Sequence, residues 1–374
     1  MIPKQKISIS LSTLLLIGGA VFLLLLLWQL RSLIVILMIA VVIASTLAPL
    51  VKSVEKLGFP RWLAVISVYL ILLTLVTGIS LLLGPTIVTQ IQRLLQKLPG
   101  YLDVLATEIQ SWIATKGFTE PEALNFIDQF FNIQSLVSWT LRSSQQLLIG
   151  VGGLTKGIVG SFLNVLLAIL LSGYMLSGSK KLIEGVVSLF PTPWNQRLEA
   201  QVIPVSQRMG GYIQGRLLVS FILGLTVSLG LKFLGIGEFA LGLGTIAGIT
   251  NLIPFFGPVL GSIPALIVAI AQGGWLFLWV LLLFVIIQNL ETYVLDPLLV
   301  GSSVNVAPMY QLLAVLSGVQ LLGILGALIV PPWVAGAGVV LQNLYLIPKS
   351  QAEKYNLIKS AETMDKEISE KSTV

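Results

Sequence analysis

The sequence predicts an all-α polytopic membrane protein, with some spans broken or re-entrant and one amphipathic helical insert. Three observations predict it. Hydrophobic residues make up 56% of the 374 and charged residues 10%, against about 25% charged in an ordinary globular protein. The mean hydropathy is +0.96. Apolar runs recur at roughly the 20-residue length that crosses a hydrocarbon core, and several carry evenly spread Pro and Gly. The chain has no Cys and no His. Catalysis by either residue, Cys/His metal sites and disulfides are therefore excluded. No cofactor is expected. The net charge of +6 suits loops facing anionic lipid rather than a nucleic-acid partner.

The elements follow in order. "MIPKQK" precedes an apolar run, Leu11 to Leu30. The run is long for a signal peptide and no small-x-small cleavage site follows, so it reads as a first span. Leu33 to Leu50 is a second span and Trp62 to Leu83 a third, which Gly84-Pro85 should end. These spans form an N-terminal membrane segment, 1–84. From 85 to 157 charges of mixed sign appear. Ile91, Leu94, Leu95, Leu98, Leu102, Leu105, Ile109 and Trp112 recur near the helical period, as in an amphipathic helix. Glu122 to Leu148 reads similarly. This insert is either a small helical domain or a set of helices on the membrane surface.

Ile158 to Leu176 is a fourth span. A basic, Pro-punctuated loop over 177–216 follows, with Lys180, Lys181, Arg197, Arg208 and Arg216. Leu217 to Leu234 is a fifth span. Spans or half-spans then fall at Phe239 to Ile253, Val259 to Ile270, Trp275 to Tyr293 and Met309 to Leu344, the last bending near Pro331-Pro332. Residues 158–347 form a C-terminal membrane core, and 348–374 a polar tail. With the N-terminus inside, ten Lys and Arg lie on the cytoplasmic side and six outside, five of the six in the long insert. Short loops dominate this rule. It puts 177–216 and the tail in the cytoplasm and the insert outside.

"NLIPFFGPVLGSIPALIVAI" carries the sharpest signal. Asn251, Pro254, Gly257, Pro258, Gly261 and Pro264 punctuate an apolar segment. A broken backbone in lipid is tolerated only inside protein or along a wet cavity. The simplest geometry is two short helices joined at Phe255 to Pro258, with Gly257 making the turn and Pro258 starting the second helix. Helix ends exposed at such a break are ready-made ligand or ion sites. Downstream, Gln288, Asn289, Glu291 and Tyr293 end an apolar span. A carboxylate there is a functional candidate by default, and Gln288, three residues earlier, shares its helix face. Asp296, before Pro297, reads as a turn residue and a candidate of lower rank. Gly318, Gly323 and Gly326 suggest close helix packing.

"LAPLVKSVEKLGFPRWLAV", "LFPTPWNQRLEAQVIPVSQRMGGYIQGRLL", the Pro/Gly motif and "IIQNLETYVLDPLLVGSSVNVAPMYQLLAVLSGVQLLGILGALIVPP" occur in this order. Together they resemble the AI-2E (PerM-like) family of bacterial transporters. Leu298 departs from the lysine many members carry there. The resemblance implies about eight spans in a bacterial inner membrane and assembly as a homo-oligomer, a pentamer. It implies an exporter of small polar solutes such as autoinducer-2, or an exchanger of sodium or lithium for protons. A passive pore or scaffold is the remaining alternative. No P-loop or Gly-x-Gly-Asp signature points to an ATP-driven pump or an intramembrane protease.

Overall fold

A computed structural model describes residues 11–115, 157–301, 308–357 and 359. The N-terminal "MIPKQK", the Glu122 to Leu148 pattern and most of the polar tail lie outside the described residues. Among the described residues every regular element is a helix. They are α1 (Leu11–Gln29), α2 (Arg31–Glu55), α3 (Arg61–Thr115), α4 (Gly157–Ser177), α5 (Ser179–Val187), α6 (Trp194–Phe233), α7 (Ala240–Thr250), α8 (Phe256–Gln272), α9 (Leu276–Leu290), α10 (Pro308–Leu322) and α11 (Ile324–Leu341). The wider-turned π-helical stretches Glu291–Gly301 and Gln342–Leu346 continue α9 and α11. Five helices are long and apolar enough to cross a membrane, six if the bent α4–α5 pair counts as one. Large apolar side chains on α1 and α3 stand exposed, among them Phe22, Trp28, Leu73, Leu81 and Leu82. Helices apolar on their outward faces fit hydrocarbon, not water.

α6 is the axis of the bundle. Val219, Leu223, Val227 and Leu231 from one of its faces are buried against Leu243 and Ala247 of α7, Val268 of α8, and Val280 and Ile287 of α9. On another side it meets α2. Pro49 has no N–H, so the Ser45 carbonyl four residues back lacks its helical partner. Gly210 packs on that carbonyl at contact distance, and Gln214 Nε2 donates to the next carbonyl, Thr46 O, at 2.6 Å. Trp333 Nε1 ties α11 to Met38 O of α2 at 3.3 Å.

Four boundaries differ from those the sequence suggests. Gly84-Pro85 does not end the third helix, which runs unbroken to Thr115. Beyond Pro85 its amphipathic face finds tertiary partners. Leu94 and Leu102 are buried, Gln90 Oε1 accepts from the Gly242 backbone N–H at 2.8 Å, and Lys97 pairs with Glu238 at 2.8 Å. Most of the loop over 177–216 is helical too, as α5 and the first half of α6, with Pro204 inside a 40-residue helix. The last apolar segment breaks not at Pro331-Pro332, which sit buried within α11, but at Gly323. Gly323 takes φ +65°, and the chain folds back so that Gly318 and Gly326 meet backbone to backbone. Gly adopts a positive φ at no steric cost, whereas prolines in membrane helices are accommodated by neighbours.

The fourth difference is the break in "NLIPFFGPVLG". α7 ends at Thr250 and α8 begins at Phe256, so the break lies at 251–255 and not at 255–258. Phe255, not Gly257, carries the unusual backbone, with φ 67° and ψ −42°. Phe256 N donates to Pro254 O at 2.8 Å across it, which closes a strained three-residue γ-turn. Gly257 and Pro258 lie inside the first turn of α8. Pro258 is harmless there, because first-turn N–H groups have no helical acceptor. Gly257 serves close approach instead. A Cβ on it would run into the Thr250 carbonyl and the Asn251 Cα, and one on Gly261 would sit 2.8 Å from Ala247 Cα. These contacts run in opposite chain directions, so α7 and α8 form a helical hairpin. Eleven residues give α7 a length of about 16 Å, too short to cross a bilayer alone.

Candidate functional site

The hairpin apex delivers Asn251 to a buried charge cluster centred on α6. Small residues make the approach geometrically feasible. Gly224 of α6 faces Gly248 of α7, with the Cα of each 3.3 Å from where a Cβ on the other would stand. Asn251, at the C-terminal end of α7, thereby reaches Arg216, whose Nη2 donates to Asn251 Oδ1 at 3.2 Å. On the opposite flank a Cβ on Gly215 would strike the Leu299 carbonyl, so the π-helical stretch lies directly on α6. That contact places Glu291 and Asp296 beside Arg216. Nη1 donates to Glu291 Oε1 at 3.0 Å and to Asp296 Oδ1 at 3.3 Å. π-bulges within α-helices are frequent at functional sites.

The cluster is closed at one end and open at the other. The side chains of Arg216 and Glu291 are each 3% exposed, while that of Asp296 is 40% exposed. Asn251 is fully buried. Among the described residues, four buried polar atoms have no hydrogen-bond partner: Arg216 Nε, Asn251 Nδ2, Glu291 Oε2 and Ser220 Oγ, one turn along α6. Two carboxylates share one guanidinium, so the group carries one formal negative charge. A buried uncompensated charge is costly. The arrangement can therefore take up one proton or one monovalent cation, and its spare donors and acceptors can hold water or a hydroxylated solute.

The eleven candidate residues separate into three groups. Asn251, Glu291 and Asp296 converge on Arg216. Pro254 is buried at the apex, and Gly257, Pro258, Gly261 and Pro264 shape α8 without reaching the cluster. Gln288, Asn289 and Tyr293 face elsewhere. Gln288 Nε2 donates to Thr292 Oγ1 at 3.3 Å and Asn289 Nδ2 to Val285 O at 2.7 Å, while Tyr293 is 75% exposed. The expected Gln288–Glu291 pairing is thus replaced by Arg216–Glu291, because Glu291 turns inward to the only cation within hydrogen-bonding reach of it among the described residues. Asp296 is not a turn residue but part of the π-helical stretch. Arg216 was missed by counting it among loop charges. The signal was present: it is the one charged residue from Met209 to Leu231.

A helical bundle with apolar outward faces and a buried charge cluster is consistent with the transporter class. The AI-2E family transporter model matches residues 17–346, and the chain belongs to that family. It is similar to "Putative transport protein YueF" of Bacillus subtilis (strain 168), 26% identical over 79% of this chain and 80% of that protein. It is also similar to "Putative transport protein YrrI" of the same organism, 27% identical over 81% and 84%. The "Sodium-lithium/proton antiporter" of Halobacillus andaensis is 25% identical over 79% and 85%.

Proposed function

We propose that the chain is a secondary transporter that exchanges a proton against a monovalent cation at the Arg216–Glu291–Asp296–Asn251 cluster. One observation carries this reading: two carboxylates share a single buried guanidinium, which leaves one negative charge for a small cation to neutralise. The name of the Halobacillus relative supports it. Export of a small polar, autoinducer-2-like solute is the second reading. The unpaired neutral groups Asn251 Nδ2 and Ser220 Oγ favour it, since they suit hydroxyl groups.

In this proposal the chain sits in a bacterial inner membrane with eight spans, its N-terminus in the cytoplasm, the 85–157 insert outside, and copies assembled as a pentamer. Arg216 leaves the count of loop charges, so nine cytoplasmic Lys and Arg stand against six, and the bias keeps its sign. The test is flux in proteoliposomes across about pH 5.5 to 8.5, with sodium, lithium and a panel of polar solutes. Glu291→Gln should remain folded, lose cation-coupled flux and flatten the pH profile. Wild-type flux with an unchanged profile in that variant would remove the cluster from the mechanism.

A further inference from the structure

The α4–α5 corner carries a feature that transport at the buried cluster does not use. α5 leaves α4 at 85° across a break of one residue. If α4 crosses the bilayer, a helix at 85° to it runs roughly parallel to the bilayer plane. Leu182, Ile183 and Val186 cluster on one side, with Val187 at its edge beside Lys180, while Lys181 and Glu184 lie opposite. α6 covers only part of the apolar side: Ile183 and Val187 are half-buried, whereas Leu182 and Val186 are 38% and 59% exposed. The following Leu189 and Phe190 are exposed as well.

Positive charge gathers at this corner. Arg61, at the start of α3, donates through Nε to Leu176 O and through Nη2 to Ser179 Oγ, both at 2.8 Å. That brings the α2–α3 connection, with Lys52 and Lys56, to the same end of the bundle as Lys180 and Lys181. Arg197 stacks 5.6 Å from the ring of Trp194, a residue type that anchors at membrane interfaces. Apolar side chains beneath and lysines above are the pattern of an interfacial helix on anionic lipid.

We propose that α5 is a surface-lying helix that recruits anionic phospholipid, its Leu182–Val186 edge entering the acyl region and Lys180 and Lys181 holding phosphate headgroups. Each lysine near an anionic surface contributes about 1 kcal/mol, which is roughly fivefold in affinity.

Two measurements on the full chain test this. A nitroxide on Val186→Cys, introduced into the Cys-free protein, is read for oxygen and aqueous-nickel accessibility in nanodiscs holding about 30% phosphatidylglycerol. Oxygen access is expected; aqueous access, or label-to-label coupling showing that a second copy covers α5, would overturn the proposal. Native mass spectrometry then compares retention of phosphatidylglycerol against phosphatidylcholine. Lys180→Gln/Lys181→Gln should cut the preference about 25-fold, while Lys349→Gln leaves it intact. Displacement of the lipid by free inorganic phosphate, or an unchanged preference in the double variant, would also overturn it.

Discussion

Replacing Arg216 with Met isolates what the cluster costs and contributes. The guanidinium is 3% exposed and lies 3.0 Å from a carboxylate that is also 3% exposed. Removing one member of such a pair leaves a buried charge alone, at about 3–5 kcal/mol. Total stability is commonly about 5–15 kcal/mol, so the variant should lie near the edge of folding. Glu291→Gln should cost less, about 1–3 kcal/mol, because the amide oxygen still accepts from Nη1 and Asp296 remains to balance the cation. Asp296→Asn should cost about 0–1 kcal/mol, as expected of a part-exposed ion pair. Arg216→Met/Glu291→Leu should recover most of the loss, since an apolar pair of similar volume often substitutes for a buried ion pair without penalty. The assay is equilibrium unfolding in mixed micelles followed by tryptophan fluorescence. If Arg216→Met unfolds within about 0.5 kcal/mol of wild type, or the double variant is no more stable than the single, the charge argument fails.

Other predictions rest on particular contacts. Gly257→Ala should cost about 1–3 kcal/mol through overpacking at Thr250 and Asn251, whereas Gly78→Ala, which meets nothing within 4 Å, should unfold like wild type; equal effects would remove the close-approach reading. Phe255→Val should be more damaging than Phe255→Gly in the same assay, because a β-branched side chain cannot adopt φ 67° without strain. Lys97→Cys/Glu238→Cys should be joined by a flexible bifunctional thiol crosslinker that spans the two side chains of the observed pair, and failure to do so would detach the α3 extension from the α7 entrance. An impermeant thiol reagent on intact cells should label Thr115→Cys and spare Gln196→Cys; the reverse pattern would invert the proposed topology.

Class and most helices were legible because hydropathy and length act locally. Leu33 to Leu50 and Ile158 to Leu176 fall inside observed helices, and Leu217 to Leu234 overruns its helix by one residue. What could not be read is where proline stops a helix. Pro49, Pro85, Pro204, Pro331 and Pro332 all lie within helices, so a proline alone does not end a helix in this chain, and only some of them, such as Pro331 and Pro332, are buried by packing. The true interruptions are set by Phe255 and Gly323, residues whose positive φ depends on the hairpin contacts around them. Asn251, Glu291 and Asp296 were visible as polar residues in apolar surroundings. Their convergence was not, because it depends on Gly215, Gly224 and Gly248 letting three backbones meet.

That dependence explains why the motif is so rich in Gly and Pro. A hairpin must bring its apex to a charge without leaving room for lipid or bulk water. Gly257 and Gly261 let α8 lie directly on α7, so the apex stays narrow. The Pro254–Phe256 turn reverses the chain while pairing its own carbonyl and N–H, which limits the backbone groups left unsatisfied. Asn251 is then the one side chain of the apex bonded to Arg216. Arg216 in turn bridges the hairpin to the π-helical stretch through Glu291 and Asp296. Neutralising either carboxylate weakens one side of that bridge and leaves the other in place. In the proposed exchange, a proton or cation bound there would alter how firmly the hairpin is held to the α9 side of the bundle, which is the mechanical coupling such an exchanger requires.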